Sequence, residues 1–274
     1  MNRHKSGMMG KGFVRFANGL ISLAVGLSLL IAGAYAGYSL WDNHQIYAAA
    51  ENVQDDMIQL KPKTDENAGD QGPSFAELLR VNQDVKAWLT LDHTQIDYPV
   101  LQGEDNFAYI NTDVYGNFAL AGSIFIDSRC DQYFADPYTL LHGHHMENSR
   151  MFGDLDLYKD LDFFRQYYTG TLVIPGHQWS LRVFACMVVP SSEEKIFNPT
   201  LWKKDGVGKL LPFVKAEALH YDADTVTMLE DAIAAGETPP RIIAMATCSS
   251  EFTDARTIVL AVMNDYGQEN REDV

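Results

Sequence analysis

Residues 20–40 form a run of 21 without a single charged side chain. This feature limits the fold more than any other. At about 1.5 Å per residue, a helix of that length crosses the ~30 Å hydrocarbon core of a bilayer. Arg3, Lys5, Lys11 and Arg15 all precede the run, and Asp42 follows it. The positive-inside rule then makes residues 1–19 a cytoplasmic basic tail and residues 20–41 a single-pass signal-anchor helix, with the rest outside. Ala34, Tyr35 and Ala36 resemble a small-residue cleavage site, so a cleavable signal peptide is the competing reading. The run exceeds the ~7–15 residues of a signal-peptide core, which favours an uncleaved anchor. Either way the body of the chain works beyond the cytoplasmic membrane.

That body is acidic. The chain carries −16 net and the first 41 residues carry +4, leaving −20 for the remainder. Such a surface repels phosphate backbones and argues against a nucleic-acid partner. The composition, 46% hydrophobic and 21% charged, is that of a globular protein. Three cysteines, Cys130, Cys186 and Cys248, are an odd count and no disulfide framework, although one bridge stays open. Cys186 lies in an alternating strand pattern and reads as a small buried hydrophobe.

Residues 42–73 read as a juxtamembrane helix followed by a polar linker rich in Pro and Gly. Ser74 and Glu77 stand at capping-box spacing, so a helix and the folded domain, 74–266, are expected to start there. Residues 267–274 form a C-terminal tail. Strand patterns then dominate: Ile96, Tyr98 and Val100 alternate, and runs at 122–127, 138–144, 171–176, 179–189, 241–247 and 256–263 follow. Gly176 and His177 mark a hairpin turn. Helices are expected over 154–167 and over 207–219, the latter inside the long connection from Val189 to Arg241. The sum is a mostly β protein of about seven to eight strands with short helices, which suggests a mixed or closed barrel.

Two segments carry unusual chemistry. In "TLLHGHHMENSRMFGDL" (139–155) an apolar strand runs into His142, Gly143, His144 and His145. In "ATCSSEFTDARTIVLAV" (246–262) Cys248 ends one apolar strand and Arg256 opens the next. A thiol with an ordinary pKa of about 8.5 is mostly protonated at neutral pH and needs a partner to act as a nucleophile. A strand-end histidine supplies one, and an arginine can stabilise an oxyanion. Bland readings compete: a strand-end cysteine is more often structural, and an arginine beside a turn is usually a solvated charge. His142 and His144 share a strand face, as two metal ligands would, but no cysteine or carboxylate shows a matching spacing.

Together the two segments resemble the sortases, membrane-anchored cysteine transpeptidases of Gram-positive bacteria, and most closely class B. The resemblance spans roughly 75–265. It implies a closed sortase-like β-barrel with N-terminal helices and a helix in the long loop before the catalytic-cysteine strand. Residue by residue, it implies that His144 is the catalytic histidine, Cys248 the nucleophile and Arg256 the catalytic arginine. Thr247 matches a threonine that supports substrate binding, and Ser249 and Glu251 match the local pattern. His142 stands where tyrosine is commoner, and His145 where asparagine is common. The long insertion after Val189 is similar to class B, and no Asp-Pro-aromatic lid motif of the pilus-building class C precedes the first strand. The implied partners are a surface-protein or pilin substrate bearing a C-terminal sorting signal, and an amine from peptidoglycan or a pilin lysine. No cofactor or metal is implied. A hydrolytic cysteine peptidase on the same site and a metal-binding surface protein using the histidines are the alternatives.

Overall fold

The computed structural model describes residues 3–62, 75–146, 148–248 and 253–265. Residues 63–74 of the expected linker, with the Ser74 cap, lie outside the described residues. So do Ser249, Glu251 and the C-terminal tail. The chain divides into two compact units, Met1–Ala48 and Ala49–Val274.

One uninterrupted helix runs from Arg3 to Ile58. Among the described residues it is the one helix long and apolar enough to cross a membrane, with a window of mean hydropathy 2.0 and no buried side chains. Its last turns belong to the second unit. Met57 is 2% exposed there and shares a core with Leu78, Trp88, Leu101 and Phe125.

The second unit is built on nine strands: β1 Val85–Leu91, β2 Asp97–Leu101, β3 Ile124–Ile126, β4 Tyr138–His142, β5 Thr169–Ile174, β6 His177–Pro190, β7 Ala218–Tyr221, β8 Arg241–Cys248 and β9 Ala255–Asp265. Their order is β5-β1-β2-β3-β4-β8-β9-β6-β7, and a further β5–β6 pairing closes eight of them into a barrel. β7 is appended to β6 outside the closure. The β2–β3 and β4–β8 pairs are parallel and the rest antiparallel, so the barrel is mixed. The expected closed, mostly β barrel is therefore present.

Local sequence explains the central strands. Residues 242–246 of β8 are all buried, and Ile258 to Val262 of β9 are fully buried. Strands covered on both faces read as continuous apolar runs rather than alternations. Their second cover is a 3-10 helix, Gly153–Lys159, which packs on both.

That segment departs from the expected single helix over 154–167. The helix is split at Asp160, whose backbone is extended. The Asp160 side chain accepts from the backbone N–H groups of Asp162 and Phe163 and starts a separate helix, Leu161–Gln166. A capping side chain in mid-segment wins over the helical period. The connection after β6 is also richer than expected. The helix expected over 207–219 is Leu210–Glu217. Short helices at Glu194–Phe197 and Trp202–Asp205, the strand β7 and a longer helix, Ala223–Ala234, accompany it.

Candidate active site

The 139–155 segment makes a strand, a tight loop and the start of the 3-10 helix. β4 ends at His142, and the Gly143 N–H continues the sheet by donating to the Ala246 carbonyl at 3.2 Å. Phe152, fully buried, lies against Gly143: a Cβ there would fall 2.6 Å from the ring. The Phe152 N–H donates to the His144 carbonyl at 3.0 Å, His145 pairs with Met151, and the Met151 N–H donates to the Tyr98 hydroxyl. At Gly153 a Cβ would meet the Met146 carbonyl at 2.3 Å. Asp154 accepts from the Gln95 N–H at 2.7 Å. Gly143, Met151, Phe152, Gly153 and Asp154 thus close the loop that presents His144.

The three histidines turn to three different partners. His142 Nε2 lies 3.0 Å from Asp127 Oδ2, His144 Nε2 lies 2.7 Å from the Ile110 carbonyl, and His145 Nε2 lies 3.1 Å from Asp156 Oδ2. A carbonyl only accepts. His144 Nε2 therefore carries a proton in this bond, and Nδ1 is left to exchange one.

Asp127 sits at the end of β3 with its side chain fully buried. Its oxygens accept from the Arg129 backbone N–H, from Nε and a terminal nitrogen of Arg129, from Asn106 and from His142. Burial alone would raise this carboxyl. The hydrogen bonds from Arg129 and His142 outweigh it and hold Asp127 well below the usual carboxylate range. Arg129 also donates to the Phe197 carbonyl at 2.7 Å, fixing the insertion after β6 to the barrel rim.

On the neighbouring strands, the backbone of Cys248 lies directly opposite Arg256, and Thr247 opposite Thr257. The Arg256 guanidinium donates to the Ala255 carbonyl at 2.8 Å and forms no ion pair among the described residues. A groove of about 350 Å³ opens here, bordered by His142, His144, Thr247 and Arg256, with Phe107 and Phe197 among its walls. The Thr247 hydroxyl is buried and has no hydrogen-bond partner among the described residues.

Of the residues singled out in the sequence, the groove brings together His142, His144, Thr247 and Arg256, next to the end of the Cys248 strand. His145 is not a lining residue and faces Asp156 instead. Asp127, Asp156 and the Ile110 carbonyl were missed. An acid closing the apolar run "GSIFID" was the available signal for Asp127. The other two depend on contacts distant in sequence. Cys130 and Cys186 are buried, and burial pushes the Cys130 thiol up to about 12, far from nucleophilic.

Among the described residues, a histidine whose Nδ1 has no partner, an arginine without a counter-ion and the end of a cysteine-bearing strand meet around one groove, and these are the parts of a thiol acyl-transfer site. No family model matches the chain. Curated relatives do. Sortase B of Listeria monocytogenes is 31% identical over 175 residues, covering 64% of this chain and 70% of the relative. Sortase B of Staphylococcus aureus is 29% identical over 243 residues, covering 89% and 94%. Among solved structures, a Streptococcus pyogenes class B sortase involved in pilus biogenesis superposes with a TM-score of 0.62 and 32% identity, over 69% of this chain and 97% of that one. The chain belongs to the sortase family and is class B-like. It is thus an enzyme of the cysteine transpeptidase type.

Proposed function

We propose that the chain is a membrane-anchored, extracytoplasmic transpeptidase that cleaves a C-terminal sorting signal and transfers the acyl group to an amine. In this reading residues 1–19 are cytoplasmic, 20–41 span the cell membrane, 42–73 connect, and 74–266 form the catalytic domain outside. The Cys248 thiolate attacks the scissile carbonyl. Arg256 stabilises the oxyanion, and His144 gives a proton through Nδ1 to the departing amine. An incoming amine then attacks the thioester, His144 takes its proton, and the thiolate is restored. Thr247 borders the substrate groove, with Ser249 and Glu251 following the nucleophile. His142 forms part of the groove wall, and His145 supports it from behind. The acceptor is a cell-wall cross-bridge amine or a pilin lysine. The Streptococcus pyogenes relative, described as involved in pilus biogenesis, gives the pilin its support.

The observation that carries the reading is the register of β8 and β9, which sets Cys248 opposite Arg256 beside the groove that His144 borders. The test is product analysis with sorting-signal peptides, with and without an added amine. Wild type should join peptide to amine, and Cys248→Ala should abolish all turnover while keeping the wild-type melting curve. Turnover by Cys248→Ala would end the proposal. Release of free acid alone, whatever amine is supplied, would make the enzyme a hydrolytic peptidase.

A further inference from the structure

His144 and Arg256 border the groove, while the residue after each of them turns away to a common partner. Thr257 donates its hydroxyl to Asp156 Oδ1 at 2.8 Å, and His145 Nε2 lies 3.1 Å from Asp156 Oδ2. Successive side chains of an extended chain point to opposite sides, so a carboxylate that grips 145 and 257 fixes the backbones that carry 144 and 256. We propose that Asp156 is a positioning residue for acyl transfer, a single carboxylate that sets the spacing between His144 and Arg256 by holding their chain neighbours from behind the groove. The inference rests on the assignment of His144 and Arg256 to the acyl-transfer site.

Three further observations support it. Asp156 belongs to the 3-10 helix that covers β8 and β9, and the close approach of Gly153 to the Met146 carbonyl seats that helix. Lys159, one turn on, places its ammonium 2.8 Å from Asp156 Oδ1. Burial would raise the carboxyl, but the hydrogen bonds from Lys159 and Thr257 lower it, so the group is an ionised acceptor at neutral pH. Thr257 is fully buried, and its hydroxyl has this single acceptor among the described residues. Valine in its place would keep the volume and lose the bond. Serine would keep the bond and lose a methyl group.

That pair of substitutions makes the test. The full chain in detergent is mixed with the peptide that wild type loads best from a randomised pentapeptide library, and acyl-Cys248 is followed by intact mass in single turnover. Displacing catalytic groups by a fraction of an ångström to 1 Å costs up to about 100-fold. Asp156→Ala and Thr257→Val should each lower the saturating acylation rate about 10- to 100-fold, with the half-saturating peptide concentration within about twofold of wild type. Thr257→Ser should stay near wild type, and Asp156→Ala with Thr257→Val should be no slower than Asp156→Ala alone. Wild-type rates in Thr257→Val would overturn the inference, as would a Thr257→Ser variant slower than Thr257→Val, because packing would then be the role of the side chain. If wild type loads no peptide on Cys248, the acyl-transfer reading itself fails. If wild type loads normally and both bond-breaking variants match it, only the role of Asp156 fails.

Discussion

Replacing Asp127 with asparagine changes one atom and should destabilise the fold considerably. Five donors converge on the two oxygens: Oδ1 accepts from the Arg129 backbone N–H and Nε, and Oδ2 from the Arg129 terminal nitrogen, Asn106 and His142. In either flip of the new amide, an NH₂ group faces at least two donors. Each buried donor left unsatisfied costs about 1–3 kcal/mol, and breaking a buried charged pair costs about 3–5 kcal/mol. The Arg129 side chain is 43% exposed and can turn to water, which places the loss near the lower bound, about 3 kcal/mol. For a unit of this size each kcal/mol is about 2–4 °C in Tm, so a fall of about 6–12 °C is expected. The pH dependence has a definite sign. The folded-state carboxyl is held below its unfolded value of about 3.9, so its contribution is complete above about pH 5 and declines as pH falls below about 4. The assay is thermal unfolding of wild type and Asp127→Asn by circular dichroism from pH 7 down to pH 3. A Tm loss under about 2 °C at pH 7, or a gap that fails to narrow below pH 4, would refute the argument.

Arg256→Ala should lower the acylation rate about 100- to 1000-fold with a smaller effect on peptide binding, because the oxyanion charge develops only in the transition state. Arg256→Lys should restore part of that rate, since an ammonium lacks the planar fork. An unchanged single-turnover rate in Arg256→Ala would reduce the residue to a surface charge. Gly143→Ala should cost about 1–3 kcal/mol by pressing a methyl group into the Phe152 ring, and should slow acylation by displacing His144. Thermal melts and single-turnover acylation check both effects.

The strands that carry the site were legible in the sequence because they are buried on both sides. "RIIAMATC" and the run from Ala255 read as strands within a residue or two, and "YTLLH" likewise. The motif residues were also visible, but their reasons were not. That Phe152 needs Gly143, and that His144 leans on a carbonyl 34 positions away, are facts of three-dimensional contact. The single helix expected over 154–167 failed because periodicity does not register a competing cap at Asp160. β7 escaped notice because it is four residues long and half exposed, too short to show an alternation. Asp127 and Asp156 looked like ordinary acids in an acidic chain, and only the donors gathered around them set them apart.

The parallel pairing of β4 with β8 also bears on the order in which the chain acquires its shape. Tyr138 must find Ile242, and every residue between them emerges first. Contacts this distant in sequence form late, since loop closure must be met before pairing returns any stabilisation. Until β8 and β9 seat, β4 has no neighbour on that edge, and His144 stands apart from the strand end that carries Cys248. The strand that carries Cys248 joins β4 and β9 only as the barrel closes. A molecule in which β8 and β9 have not yet seated would thus hold no assembled groove, however complete its earlier strands.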